Sequence, residues 1–365
     1  MAAIHTTGRS RASFRQEVLD LDDGKKAELL RNFWPGQKTS VNDVFGGLFD
    51  AYFEYIGDEL TRARYSQPKH APTVSVDDVC KLVKTLYRHR SSALETLLDH
   101  VEQEFSGFDR ESLSLTVELA ARLSLTLQMR CGNRPLNHSI RTLDWHGDRS
   151  LEQTVADHFC PSLGSEEKRI RIEESFTAAF LVNVCRVKLR WSNNLADHLD
   201  FNSGVLTIYQ HKICLIQHAQ YISPIIPLEV LNEALQTINL LFPFGDEATR
   251  ELLIRENKRS FYGLGLNLQP SPFDLSEFKF WNKEMAELYS LYKDPPHTWS
   301  QLFSDSRDKL QFATFWIAAT VLILSLISIA FGIVQTIYSI RQYKLALAQA
   351  CSVQGANVSL PLYCG

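Results

Sequence analysis

A long hydrophobic run near the end of the chain stands apart because no polar face interrupts it. No charged residue occurs from Gln311 to Ile340, and the central part of the run reads FWIAATVLILSLISIAFGI. About 20 apolar residues, each rising ~1.5 Å, span the hydrocarbon core of a bilayer. The pattern therefore predicts a single-pass transmembrane helix. The predicted bounds are a juxtamembrane segment at 304–311, the helix at 312–340 and a short tail at 341–365.

Upstream of this run, apolar residues recur every three or four positions, as is typical of amphipathic helices. Only Val205–Tyr209 has the pattern of a strand, and the sequence does not identify its partner. We therefore predict an all-α, mostly helical soluble domain at 1–303 with little or no β-structure. A break near residues 160–165 could divide it into two subdomains. The predicted helices are Ser13–Trp34, Val41–Arg64, Val76–Phe105, Arg110–Arg130, Leu151–Phe159, Ser165–Trp191, Ile213–His218, Pro227–Phe242, Glu247–Lys258 and Ser276–Tyr292.

Features at the two ends of the chain disagree about its orientation in a membrane. Arg341 and Lys344 follow the span with no acidic residue nearby, and the positive-inside rule would place the tail in the cytosol. The first residues contain no apolar core of the kind found in a signal peptide, which favours a cytosolic domain and a tail that crosses. The tail carries Cys351, Cys364 and a glycosylation sequon at Asn357, which suit an oxidising lumen. We expect a tail-anchored protein with a cytosolic N-terminal domain.

Composition narrows the function classes. The chain is 45% hydrophobic and 22% charged with a formal net charge of −4, which is an ordinary globular balance. Proteins that bind nucleic acid usually carry a basic stripe or patch, so nucleic acid is not an expected partner. The five cysteines before the span form no CxxC pair, and we expect reduced, mostly buried thiols rather than a zinc ribbon or redox motif. These cysteines are Cys80, Cys131, Cys160, Cys185 and Cys214.

One group of residues has the spacing of metal ligands. His211, Cys214 and His218 lie at positions i, i+3 and i+7, so one helix face could present all three. Imidazole and thiolate are good zinc ligands, and Asp197 or His198 could supply a fourth. The alternative is that Cys214 is a small core residue and both histidines are partly exposed. The sequence does not show whether the side chains converge.

Asp197 and His198 form the densest polar cluster and invite a second chemical interpretation. A carboxylate beside an imidazole could orient it as a general base. Adjacent residues on a helix point in different directions, however. The alternative is a capped turn in which Ser192 or Asn193 is the cap and Leu199 packs inward. We predict no catalytic residue and no cofactor, because no nucleophile or phosphate-loop motif is complete.

Small residues occur on one side of the predicted span. Ser328 and Gly332 form a small-xxx-small pair, with Ser325 one turn earlier. Such a face lets two helices approach closely in a membrane. This spacing indicates a possible homo-oligomer through the transmembrane helix, although small residues are also common in spans that do not associate.

Three passages resemble a group of uncharacterised proteins from filamentous ascomycete fungi. They read LRWSNNLADHL at Leu189–Leu199, VLNEALQTINLLFP at Val230–Pro243 and FGIVQ at Phe331–Gln335. The resemblance covers about residues 150–340. It implies a fungal source and a helical domain with one C-terminal transmembrane segment, and it implies no catalytic residue.

These observations favour a membrane-anchored helical protein that acts as an interaction or scaffold module. Its expected partners are the membrane and another protein. An enzyme is less favoured, and that alternative would be a metal-dependent one using the region from His198 to His218. A third hypothesis is a membrane-active signalling effector that oligomerises through its span. The sequence indicates neither the partner nor the organelle.

Overall fold

The computed structural model describes most of the chain. The described residues are 18–34, 47–65, 76–132, 141–161, 170–258, 261, 264, 274–294 and 309–352. The chain divides into two compact units, Met1–Pro295 and Pro296–Gly365. No unit boundary falls near residues 160–165, where the sequence breaks. Asn357 and Cys364 lie outside the described residues.

Among the described residues, five helices build the first half of the larger unit. Asp22 and Asp109 cap two of them, each accepting a hydrogen bond from a backbone N–H three residues later. Side chains on every face of the fifth helix are buried, so it lies at the centre of the core. The five helices are α1 (Asp23–Phe33), α2 (Asp50–Tyr65), α3 (Val76–Arg88), α4 (Leu94–Glu104) and α5 (Arg110–Leu125).

Four of the predicted helices here have other bounds in the structure. Ser13–Trp34 is interrupted at residues 20–22 ahead of α1, and α2 begins only at Asp50, after a turn at 47–49. The predicted helix Val76–Phe105 is two helices, because the backbone N–H of Leu94 donates to the carbonyl of Arg149 (3.0 Å) and the chain turns there. The predicted helix Arg110–Arg130 stops at Leu125. Thr126 follows in the left-handed conformation (φ 52°), which ends the helix.

Two small sheets contain more β-structure than the pattern indicates. The first pairs β1 (Met129–Cys131) with β2 (Leu143–Trp145) in parallel. In the second, β5 (Val205–Tyr209) is the middle strand, parallel to β3 (Lys188–Ser192) and antiparallel to β4 (Phe201–Asn202). The predicted strand is therefore confirmed with its bounds, and its partners are identified.

The predicted helix Ser165–Trp191 is wrong over most of its described residues. Only α7 (Ala178–Asn183) is helical among its described residues, and β3 follows. Arg186 has a positive φ of 63°, which a continuous helix does not allow. Lys188 then lies opposite Val205 in the sheet. Pairing with a strand distant in sequence thus overrides a local periodicity that does not separate short helices from strands.

The remaining helices of the larger unit agree with the pattern apart from their ends. Ser150 and Gln153 form a reciprocal capping box at the start of the first of them. The next two pack closely against each other and are joined by the loop 220–227. These helices are α6 (Leu151–His158), α8 (Lys212–Ala219), α9 (Leu228–Leu241), α10 (Glu247–Arg255) and α11 (Asn282–Lys293).

The smaller unit contains one helix, α12 (Lys309–Cys351), within the described residues. Within the stretch Thr314–Cys351, the most apolar window has a mean hydropathy of 2.7, and none of its residues is buried. The helix is therefore long and apolar enough to cross a membrane. The helix continues beyond the predicted span, through residues 341–351, which are mostly good helix formers. Its 43 residues extend about 65 Å at ~1.5 Å each, roughly twice a bilayer's hydrocarbon core.

Candidate functional site

The predicted metal ligands lie where β5 runs into α8. His211 precedes the first residue of α8, and Cys214 and His218 lie on it. All three are buried, with exposed fractions of 2%, 0% and 1%. Cys214 is a core residue, as the alternative interpretation held. That interpretation is wrong about the histidines, which are not partly exposed.

His218 donates a hydrogen bond to the end of the central helix. Its Nε2 lies 2.9 Å from the carbonyl oxygen of Ser124 and 3.3 Å from the indole nitrogen of Trp34. One ring nitrogen cannot donate to the first and accept from the second. The contact with the Ser124 carbonyl is the shorter and stronger of the two, so we assign the proton to Nε2. Burial lowers the pKa of His218 to about 4, and the ring is neutral.

Four side chains together satisfy the buried C-terminal end of α5. The last four carbonyls of a helix have no partner within it, and burying them unpaired is unfavourable. We call this arrangement the α5 carbonyl cap. Its hydrogen bonds are Tyr55 Oη to the Arg122 carbonyl (3.1 Å), Tyr52 Oη to Leu123 (2.7 Å), His218 Nε2 to Ser124 (2.9 Å) and Thr126 Oγ1 to Leu125 (2.6 Å).

His211 packs inside the aromatic side of this cap. Its ring centroid lies 5.7 Å from Tyr52, 5.4 Å from Tyr55 and 5.7 Å from Tyr209. Its Nε2 lies 2.7 Å from the amide oxygen of Asn193, which only accepts, so Nε2 carries the proton. Burial, with a smaller contribution from the charge of Lys258, lowers the pKa of His211 to about 3.

The predicted metal ligands do not form a metal-binding group. Among the residues that the structure describes, no set of three or more His, Cys, Asp or Glu side chains could hold a metal ion. Burial raises the pKa of the Cys214 thiol well above its usual value. The site therefore behaves as a structural polar cluster within the core.

Asp197 does not orient His198. Its carboxylate accepts from the Ser192 hydroxyl (2.9 Å) and from the backbone N–H of Arg141 (3.3 Å). The side chain of Asn194 caps the short 3₁₀ turn Leu195–Asp197. The alternative interpretation, a capped turn, is therefore confirmed, although the capping residue is Asn194 and not Ser192 or Asn193. Leu199 is buried, as that interpretation predicted.

His198 is fully buried and has a hydrogen bond on each ring nitrogen. Its Nδ1 accepts from the backbone N–H of Tyr209 (3.3 Å), so its Nε2–H donates to Thr237 Oγ1 (2.9 Å). The ring lies 5.4 Å from that of Trp281. Burial lowers the pKa of His198 to about 3. The neutral imidazole, with a hydrogen bond on each nitrogen, connects β5 to α9. It has no access to solvent and no free nitrogen for base catalysis.

Glu233 is an anchoring residue that the sequence pattern did not identify. It is buried on α9, and its carboxylate accepts from the backbone N–H groups of Lys279 (2.7 Å), Phe280 (2.8 Å) and Trp281 (2.7 Å). These groups lead into the first turn of α11, where a negative charge is favourable. Burial raises the pKa of Glu233, while the three N–H donors oppose the rise. The sequence signal that could have identified Glu233 is an acidic residue at a position of the α9 pattern where apolar residues are expected.

Lys212 is a second buried charge that the pattern missed. It is 1% exposed, and its Nζ has no hydrogen-bond partner among the described residues. The ammonium lies 5.7 Å from the centroid of the Phe261 ring, within range of a cation–π contact. Burial lowers its pKa to about 8.

The small residues of α12 lie on an exposed helix surface. Ser325, Ser328 and Gly332 are all exposed, and a Cβ atom at Gly332 would meet nothing within 4 Å. Hydroxyls in this helix satisfy themselves locally: Ser325 donates to the Val321 carbonyl, and Thr336 to that of Gly332, each at 2.8 Å. Such internal bonds remove the cost of placing a hydroxyl in lipid.

The cysteines fall into two chemical classes. The five in the larger unit form no disulfide, and Cys80, Cys131 and Cys214 among them are buried. Cys160 is exposed, and its Sγ donates to the carbonyl of Asp157 (3.0 Å). Cys351, at the end of α12, is disulfide-bonded.

No protein-family model matches the chain, and comparison with curated proteins and with solved structures finds no significant match. The resemblance to fungal proteins therefore stays a prediction.

Proposed function

We propose that this protein is a membrane-anchored interaction module, in which one C-terminal helix tethers a helical domain that binds another protein. The observation that supports it most is the stretch Thr314–Cys351 of α12, whose most apolar window has a mean hydropathy of 2.7 and is entirely unburied. In water such a surface would be strongly unfavourable, and a bilayer is the solvent that accommodates it. Tethering is the function that follows from this helix.

The distribution of disulfides supports a cytosolic domain and a tail beyond the membrane. Disulfides persist in oxidising compartments and are rare in the cytosol. The thiols of residues 18–295 that the structure describes form no disulfide, whereas Cys351 is bonded. Arg341 and Lys344 favour the opposite orientation, but two charges are a weak determinant. We therefore propose a tail anchor with the domain on the cytosolic side.

The geometry gives the metal-dependent enzyme no support. His198, His211 and His218 are buried and neutral, and each has a hydrogen bond that holds the fold together. Function in a protein depends on specific sites, and the polar site here serves stability. A binding surface on the domain is the role that remains consistent with the anchor.

Alkaline carbonate extraction of membranes from expressing cells tests the anchor. The full chain should remain in the membrane pellet, and a chain that ends at residue 308 should be released. Recovery of the full chain in the supernatant would contradict anchoring. The interaction role is tested by crosslinking: the chain 1–308 should retain the same partner protein as the full chain, and residues 296–365 alone should not.

A second candidate function, self-association of the span, is supported by the spacing of exposed small residues on α12. Ser325, Gly332 and Ser339 recur every seven residues, and Ser328 lies between the first two on the same side. The space around the Cα atom of Gly332 is open, which leaves room for a second helix. Gly332→Leu should reduce crosslinked dimer in lipid. Ile333→Leu is the matched control, and an unchanged dimer fraction in the Gly332 variant would exclude this face.

A further inference from the structure

One isoleucine of the larger unit is almost completely exposed. Ile222 lies in the loop 220–227 between α8 and α9 and is 99% exposed. Leu228, the first residue of α9, is 47% exposed at the same end of the helix pair. Ile225 and Ile226 of this loop are buried, so the chain places two isoleucines in the core and presents the third to its surroundings.

The exposure of Ile222 is fixed by its neighbours. The ring of Tyr221 packs at 5.6 Å against that of Tyr87, near the end of α3. Ser223 accepts a hydrogen bond from the guanidinium of Arg90 (2.9 Å). Both residues beside Ile222 are therefore attached to the C-terminal end of α3. The isoleucine is held outward, next to that helix end.

The adjoining surface of α3 is basic. Lys81, Lys84 and Arg88 lie at positions i, i+3 and i+7 and are exposed, so they share one helix face. None of the three forms an ion pair with a described residue. Two acidic groups connected to the loop by sequence or contact are in ion pairs, Glu152 with Arg90 and Glu229 with Lys279.

Two further acidic groups lie along α3 itself. Asp77 and Asp78 are in its first turn, at the far end from the loop. Glu104 of the neighbouring helix α4 accepts from the Thr85 hydroxyl (2.9 Å). On α1, which packs against α3, the exposed charges Glu28 and Arg31 have opposite signs. Positive charge therefore dominates only toward the loop end of α3.

We propose that Ile222 and the basic face of α3 form a membrane-contact surface that binds anionic lipid. A lone apolar tip beside basic side chains suits a bilayer, since the tip enters the acyl region while lysine and arginine meet lipid phosphates. The charge is complementary to an anionic leaflet. The inference rests on the proposed anchoring, because the tether keeps the domain at a membrane and raises the effective lipid concentration.

The test uses the full chain in lipid nanodiscs with a fluorophore that reports local polarity. The label is placed by Ile222→Cys in a Cys160→Ser background, which removes the exposed native thiol. Discs of phosphatidylcholine alone are compared with discs that also contain phosphatidylserine. In the anionic discs the label should shift its emission to the blue and be quenched by brominated lipid. Ile254→Cys places the same label on another exposed isoleucine and should show neither effect.

Charge reversal and salt test the electrostatic part. Lys84→Glu with Arg88→Glu should abolish the emission shift, as should about 1 M salt, where the Debye length is about 3 Å. Equal emission in both disc types would overturn the inference, and so would a blue shift already present in detergent, which would indicate contact with protein. Failure of the chain to elute with the discs would instead contradict the anchor.

Discussion

At the scale of single residues, the three buried histidines are the chemical feature with the largest consequence. His198 and His211 have pKa values lowered to about 3 and His218 to about 4, because burial disfavours the imidazolium. The ordinary value is 6.5. Below that pH these three histidines bind protons in the unfolded chain but stay neutral in the folded chain, so proton binding favours unfolding.

We expect the stability of the domain to fall as the pH drops below about 6.5. Each buried histidine contributes a slope of about 1.4 kcal/mol per pH unit between its unfolded and folded pKa values, so three give about 4 kcal/mol per unit. A domain of ordinary stability would unfold about two to three units below 6.5. Urea unfolding at a series of pH values measures the slope.

The control for this prediction is an exposed histidine. His198→Gln should reduce the slope by about 1.4 kcal/mol per pH unit, one third of the total. His146→Asn changes an exposed imidazole and should leave the slope at the wild-type value. A wild-type stability that does not change between pH 7 and pH 5 would contradict burial of neutral histidines.

The α5 carbonyl cap gives a second prediction for single residues. Tyr52→Phe removes the hydroxyl that donates to Leu123 (2.7 Å) and leaves a buried carbonyl unpaired. We expect a loss of about 1–3 kcal/mol in the free energy of unfolding. Tyr87→Phe is the matched control, because Tyr87 is also buried and its hydroxyl has no partner among the described residues. It should be neutral or stabilising, and equal losses in both variants would contradict the cap.

At the scale of elements, one carboxylate on α9 positions the start of α11. Glu233 receives three backbone N–H groups from residues 279–281, which a single amide oxygen could not replace. Arg171 also forms an isolated bridge with Asp274, ahead of that helix. The attachment of α11 therefore depends on a few long-range contacts rather than on its own sequence.

Glu233→Gln should lower the free energy of unfolding by about 1–3 kcal/mol, since hydrogen bonds to a charged group are the stronger ones. Amide hydrogen exchange should rise first in α11 (Asn282–Lys293). Glu229→Gln serves as control, because its ion pair with Lys279 is exposed and contributes little. Exchange that rises equally along the whole domain would show that Glu233 does not act locally.

Helices were the elements that the sequence predicted best, and their ends were the least certain. The periodic runs at α2, α9 and α11 have one packed face each, so local spacing was enough. The partner of Val205–Tyr209 was not predictable, because β3 contains only five residues and its pairing joins positions 17 apart. Such a segment becomes a strand only when its partner is present.

At the scale of the whole molecule, the chain contains two units whose surfaces differ in polarity. The larger unit has a core of its own, and the smaller one is an apolar helix whose surface is unburied. The helix continues to Cys351, well past the hydrocarbon thickness that it needs. In a membrane, the segment 341–351 would therefore extend the helix into the aqueous phase.

Two sequons act as opposed reporters of the proposed orientation. Asn137 and Asn357 each begin an Asn-x-Ser sequence, one in the domain region and one in the tail. With a cytosolic domain, only Asn357 should gain a glycan in microsomes, and Asn357→Gln should abolish the mass shift. Asn137→Gln should have no effect. Glycosylation at Asn137 would place the domain in the lumen and contradict the proposed topology.

The sequence by itself determined the helical class of the domain and the position of the apolar helix, because both follow from local spacing and local hydropathy. Tertiary structure alone decided the role of His211, Cys214 and His218. Their spacing fits a metal site. In the fold, however, the tyrosine hydroxyls of α2 and the carbonyls at the end of α5 lie beside them, and these carbonyls need hydrogen-bond donors. Chemistry that depends on neighbours distant in sequence cannot be read from spacing, since the same imidazole is a ligand beside a cation and a cap beside a carbonyl.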